Sequence, residues 1–123
     1  RLELVGYSGG ATIAAQLAAR RDDVNSLRTV AGNLDVAYVN ALHHVTPMTQ
    51  ALSAIDVAAQ LSSLPQVHFS GMEDTTVPVA VARRFQQASG SRCTSVVEVA
   101  GMGHGSDWAA RWPMLLTTLP KCQ

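Results

Sequence analysis

Four short strand-like runs, each closed by a glycine-bearing or polar loop, constrain this chain more than any other feature. They are Leu2–Val5, Leu27–Ala31, Gln66–Ser70 and Thr94–Val99. Helical patterns lie between most of them. Ala11–Arg20 is alanine-rich, with Ile13, Ala14, Leu17 and Ala18 at helical spacing, and Arg20-Arg21 suits a helix C-terminus. Pro78 stands where a later helix starts, with Val81, Ala82, Phe85 and Ala88 as its apolar face and Gly90 as its end. Asp107 is positioned to cap a last helix, whose stripe is Trp108, Trp112, Leu115 and Leu119 and whose interior holds Pro113. Short apolar strands alternating with helices predict an α/β fold: half of a doubly wound, mostly parallel sheet of about four strands, with helices on both faces. Right-handed crossovers bring every strand C-terminus to one edge, so a site belongs in the polar loops just past those ends.

Residues 33–55 are the least regular stretch. Asp35–Leu42 reads as a short helix, and Pro47 interrupts the pattern beyond it. One or two helical turns are expected over Asp56–Ser63, with Asp56 as the N-cap and Pro65 as the stop. With 123 residues, 47% of them hydrophobic, the chain is one domain with enough apolar material for a core. Nine Lys+Arg balance nine Asp+Glu, so no basic surplus exists to neutralise phosphates, and 5% aromatics cannot furnish base-stacking platforms. Nucleic acid is therefore not the expected partner. No apolar run approaches the roughly 18–20 residues of a transmembrane helix.

The chemistry-bearing residues follow three different strands. Gly6-Tyr7-Ser8-Gly9-Gly10 joins a strand to a helix. A sharp turn there lifts the Ser8 hydroxyl clear of the backbone, which requires nearly side-chain-free neighbours, a role expected of Gly6 and Gly10. The Gly9 N–H is then the expected oxyanion donor. Past the third strand, Asp74 can accept the Nδ1–H of a histidine, with Glu73 as the neighbouring alternative and Asp35 as a more distant one. Past the fourth strand, His104 can take and return the Ser8 proton. The order Ser8, Asp74, His104 is the one in which strand-end loops assemble such a set.

These motifs resemble the C-terminal half of an α/β-hydrolase. Gly6-Tyr7-Ser8-Gly9-Gly10 is similar to the family's nucleophile elbow. Gly71-Met72-Glu73-Asp74 with Val77-Pro78 resembles its acid loop, and Gly103-His104 its histidine loop. The resemblance covers almost the whole chain, from the family's elbow strand to its last helix. It implies serine-hydrolase chemistry on a small acyl substrate, usually an ester, with catalytic Ser8, Asp74 and His104 and no cofactor. It places 33–55 where the family commonly inserts a lid. It also implies four strands before the elbow strand and a second oxyanion donor from one of their loops, none of which stands in this sequence. The chain is accordingly expected to be a fragment that is not active as it stands, with an uncovered edge at residues 2–5 open to self-association. A non-catalytic binding module of the same fold is the alternative.

The remaining residues carry further expectations. Tyr7, Asn33 and Met102 are candidates to line a substrate pocket, with Met48 and Leu52 as further apolar contributors; a plain core role is the alternative for Met48, Leu52 and Met102. His43-His44 does not suggest a metal site, because adjacent histidines on a helix point apart and no Cys or carboxylate stands at ligand spacing. Cys93 begins the fourth strand and Cys122 lies after the last helix, so both fall at the end of the domain opposite the site. A bridge between them is geometrically reasonable, and two free thiols are the alternative. A bridge would point to an exported protein in an oxidising compartment, and free thiols to a cytoplasmic one.

Overall fold

The computed structural model describes residues 1–46 and 52–123. The expected interruption at Pro47 and the pocket role of Met48 lie outside them. Four parallel strands form one sheet in the order β1 (Leu2–Tyr7), β2 (Val24–Val30), β3 (Gln66–Gly71) and β4 (Thr94–Val99). The helices are α1 (Gly10–Arg20), α2 (Val36–Leu42), α3 (Val79–Ser89) and α4 (Trp108–Leu115), with short 3₁₀ turns at Ala54–Val57 and Ala59–Leu61. Strand and helix alternate as the apolar pattern requires, and β1 is an edge strand. β3 is buried along its whole length.

Two cores result, one on each face. The larger contains Ala11, Ala14, Ala15 and Ala18 of α1, Val81, Ala82 and Phe85 of α3, and Leu34, Val39 and Ala54 from the 33–55 region. The smaller joins Val30, Val67 and Phe69 of the sheet to Trp108 and Leu115 of α4. The described part of 33–55 therefore contributes apolar side chains to the main core.

Several local expectations need correction. In α1 the buried residues are Ala11, Ala14, Ala15, Gln16 and Ala18, while Ile13 and Leu17 are exposed. Small side chains let the helix approach the strands closely, so the larger residues are displaced outward. In α3 the buried row is Val81, Phe85 and Ser89, spaced by four; Ala88 is exposed. Ser89 is buried because its hydroxyl is hydrogen-bonded to that of Thr94 at 2.7 Å. Asp56 is not an N-cap. It sits inside the first 3₁₀ turn and accepts a bond from the Ser53 N–H at 3.2 Å. α4 ends at Leu115, leaving Leu119 69% exposed. Asp107 does cap α4, accepting from the Ala110 N–H at 3.2 Å, and Pro113 lies within the helix.

Cys93 and Cys122 form a disulfide across a sequence separation of 29. Closing a loop of that size stabilises the fold by about 3–4 kcal/mol through the unfolded chain. It fastens the C-terminal tail to the start of β4, where the Gln123 N–H also donates to the Arg92 carbonyl at 2.7 Å.

The main core holds one ionisable side chain with no part in the loops. His68 of β3 is buried, with Nδ1 2.6 Å from the Thr29 hydroxyl and Nε2 2.9 Å from Gln66 Oε1. The Gln66 amide nitrogen donates to the Leu61 and Leu64 carbonyls, which leaves its oxygen to accept. His68 therefore carries its proton on Nε2 and accepts from Thr29 at Nδ1. Burial pushes its pKa from 6.5 down to about 3. In that interval the unfolded chain binds a proton that the folded chain does not. The contribution is intact above pH 6.5 and is lost as pH falls, at up to about 1.4 kcal/mol per pH unit. Urea unfolding at pH 7, 5.5 and 4 should show this slope. His68→Gln should make it shallower by about 1 kcal/mol per pH unit, and an unchanged slope would assign the acid sensitivity elsewhere.

Candidate active site

The site lies at the C-terminal edge of the sheet, where β1, β3 and β4 each release a loop. Ser8 stands between β1 and α1 with φ 52°, a left-handed conformation that non-glycine residues seldom adopt. Its backbone is held on both sides: the Ser8 N–H donates to Val30 at 3.0 Å, and its carbonyl accepts from Ala11 at 3.1 Å and Asn33 at 3.0 Å. The strain is thus maintained by bonds to β2, α1 and the loop after β2.

The two flanking glycines are not equivalent. A Cβ on Gly6 would lie 2.6 Å from both the Ala11 Cα and the Gly10 carbonyl oxygen, so only glycine lets α1 fold back against β1. A Cβ on Gly10 would meet nothing within 4 Å. The expectation that both must be side-chain-free is corrected: Gly6 is required by contact, and Gly10 is not. Gly9 comes directly after Ser8 and caps α1, at the helix end where N–H groups lack intrahelical acceptors.

Ser8, His104 and Asp74 meet. Ser8 Oγ is 3.0 Å from His104 Nε2. His104 Nδ1 is 2.9 Å from Asp74 Oδ2. The Asp74 side chain is fully buried, and its other oxygen accepts the N–H groups of Thr76 at 2.9 Å and Val77 at 2.7 Å. A carboxylate can only accept, so the imidazole proton facing it is on Nδ1, and Nε2 presents its lone pair to the serine hydroxyl. Glu73, the neighbouring alternative, is exposed. Asp35 is committed elsewhere: it caps α2 through the Tyr38 N–H at 3.2 Å and pairs with Arg84 at 2.9 Å.

The pocket candidates divide. Asn33 is beside Ser8, joined to it through the backbone, and its carbonyl accepts from the Thr12 hydroxyl at 2.8 Å. Met102 is only 4% exposed and belongs to the smaller core with Phe69 and Trp108, which favours the core role over the pocket role of its two expected alternatives. Leu52 is exposed and borders a shallow hollow with Ile13 and Leu17 along α1. Tyr7 reaches across to the histidine loop, with its hydroxyl 2.8 Å from the His104 carbonyl. His43 is exposed and its Nε2 contacts the Thr76 carbonyl at 2.6 Å, on the acid loop; His44 is also exposed.

Two further requirements were not visible in the sequence pattern. A Cβ on Gly71 would stand 2.1 Å from the Met102 carbonyl oxygen, so glycine there lets the acid and histidine loops touch. The Ser106 hydroxyl accepts the Gly103 N–H at 2.8 Å, closing the histidine loop on itself.

No family model matches the chain, and no curated protein matches it. Solved structures do. A puromycin-hydrolysing peptidase of Mycobacterium tuberculosis aligns at 18% identity and TM-score 0.70, over 85% of this chain and 19% of the peptidase. The esterase domain of a Rhodothermus marinus protein aligns at 23% and 0.71, over 93% of this chain and 57% of the other. A monoacylglycerol lipase of Paleococcus ferrophilus aligns at 15% and 0.68, over 94% and 66%. The chain thus spans from about a fifth to two thirds of the lengths of these three proteins. With four parallel strands and flanking helices, its fold is that of the α/β-hydrolases.

The unequal glycines are open to test. Gly6→Ala should lower stability by about 2–3 kcal/mol, because backbone rather than a flexible side chain must move. Gly10→Ala should stay within about 0.5 kcal/mol of the parent, since alanine favours a helix position. Urea unfolding of both variants decides, and equal losses would contradict the steric assignment.

Proposed function

We propose that this chain carries the catalytic groups of a serine hydrolase that cleaves a carboxylic ester or a related acyl bond. The observation that supports it best is the continuous relay from the Ser8 hydroxyl through His104 to buried Asp74, at 3.0 and 2.9 Å. In this reading the strained turn at Ser8 is a nucleophile elbow. Ser8 Oγ attacks the acyl carbonyl while His104 Nε2 takes its proton. Asp74 keeps the ring in the required tautomer and stabilises the imidazolium that forms. The Gly9 N–H donates to the oxyanion. His104 then protonates the leaving alcohol, an acyl group remains on Ser8, and water attacks by the reverse sequence. The cycle balances with water alone. Asn33 lines the substrate pocket, and the Cys93–Cys122 bridge suits work in an oxidising compartment.

The neighbours include an esterase, a lipase and a peptidase, so hydrolysis is common to them while the scissile bond differs. The ester assignment is our reading. Gly9 supplies one oxyanion donor. The second, by this reading, comes from residues outside this chain, and its absence costs about 2.7–4 kcal/mol of transition-state stabilisation. These 123 residues alone should therefore turn over esters about 10²–10³-fold more slowly than an enzyme with both donors.

A fluorophosphonate probe tests the nucleophile without needing the true substrate. Mass spectrometry should find the adduct on Ser8, and Ser8→Ala should abolish it. A folded protein that takes no label would leave a non-catalytic module as the reading of the fold.

A further inference from the structure

We infer that Tyr7 is a positioning residue, a strut that fixes His104 relative to the serine beside it in the chain. The inference rests on the serine-hydrolase reading and extends it to a residue that takes no part in the proton relay. Tyr7 is the last residue of β1 and immediately precedes Ser8. Its hydroxyl donates to the His104 backbone carbonyl at 2.8 Å, across 97 residues of sequence. Its ring also stacks on the imidazole, with centroids 5.9 Å apart and planes 30° from parallel. One side chain therefore touches both the main chain and the ring of the histidine.

The histidine loop needs such a tie. Gly101, Gly103 and Gly105 supply three glycines in five residues, and Gly101 sits at φ 75°. Glycine gives a loop of this composition wide backbone freedom. Its other fastenings hold residues on either side of 104: the Met102 carbonyl accepts from Glu73, and Gly103 and Ser106 bond to one another. None of these acts at residue 104. Asp74 orients the ring about Nδ1, but one hydrogen bond does not set how far the ring stands from Ser8. The Tyr7 strut does, because it starts from the residue next to the nucleophile. Proton transfer falls steeply as the two atoms separate, and small displacements of a reacting group cost one to two orders of magnitude in rate.

A pocket role and a strut role for Tyr7 predict different kinetics. If Tyr7 mainly contacts substrate, its loss weakens binding. If it positions His104, its loss slows the bond-forming step and leaves binding nearly unchanged. Tyr7 is half-exposed, so replacing it should not threaten the fold.

The experiment measures fluorophosphonate inactivation of the wild-type chain, Tyr7→Phe and Tyr7→Leu, separating the maximal inactivation rate from the half-saturating concentration. Hydrogen exchange of the 101–105 loop is monitored in the same samples. Tyr7→Phe, which keeps the ring, should lower the maximal rate about tenfold with an unchanged half-saturating concentration. Tyr7→Leu should lower it further, and loop exchange should speed up in the same order. Wild-type labelling at Ser8 with equal maximal rates in all three proteins would overturn the strut and leave the hydrolase reading standing. So would a change confined to the half-saturating concentration, which would return Tyr7 to the pocket. Absence of any wild-type label would remove the hydrolase reading and the strut together.

Discussion

Everything at the sheet edge depends on the short contact between Asp74 and His104. A carboxylate without solvent exposure is costly unless its oxygens are satisfied. Here two backbone N–H groups hold one oxygen and the imidazole holds the other. That satisfaction fixes the carboxylate, and the carboxylate fixes which imidazole nitrogen is free. Only then does the serine hydroxyl face a lone pair rather than a second proton.

The rest of the molecule brings three chain-distant loops to one place. Parallel pairing puts the ends of β1, β3 and β4 on a common edge. Glycine then sets how near the loops come: Gly6 lets α1 turn tightly under Ser8, and Gly71 lets the acid loop rest on the Met102 carbonyl. The alanine face of α1 serves the same end, since small side chains bring the helix close to the strands that carry the loops. The disulfide secures the tail at the start of β4, at the other end of that strand from the histidine loop.

Much of this is legible in the order of residues alone. The alternation of apolar runs and helical patterns specifies a parallel sheet because strands covered on both faces lose the two-residue period. Ser8, Asp74 and His104 stand out because each comes after a strand. The features that escape a sequence reading depend on distances between segments. Nothing local distinguishes Gly6 from Gly10; only the approach of Ala11 does. Met102 looks the same in a core and in a pocket. Ala88 and Ser89 exchange places because the Thr94 hydroxyl satisfies Ser89 in the interior, a pairing made across a turn. Ile13 and Leu17 are exposed because the buried side of α1 is taken by four alanines and Gln16, a choice set by residues on other elements. Tyr7 is legible as a neighbour of the serine, but its reach to residue 104 belongs to the tertiary structure.

The central claim is that His104 is held between Asp74 and Ser8 in one tautomer. Long-range ¹⁵N–¹H correlation spectra of the imidazole rings test it without substrate. Neutral His104 should carry its proton on Nδ1, with that proton shifted far downfield by the carboxylate, and Asp74→Asn should abolish the downfield signal. A His104 ring protonated on Nε2, or one whose spectrum is indifferent to Asp74→Asn, would contradict the account.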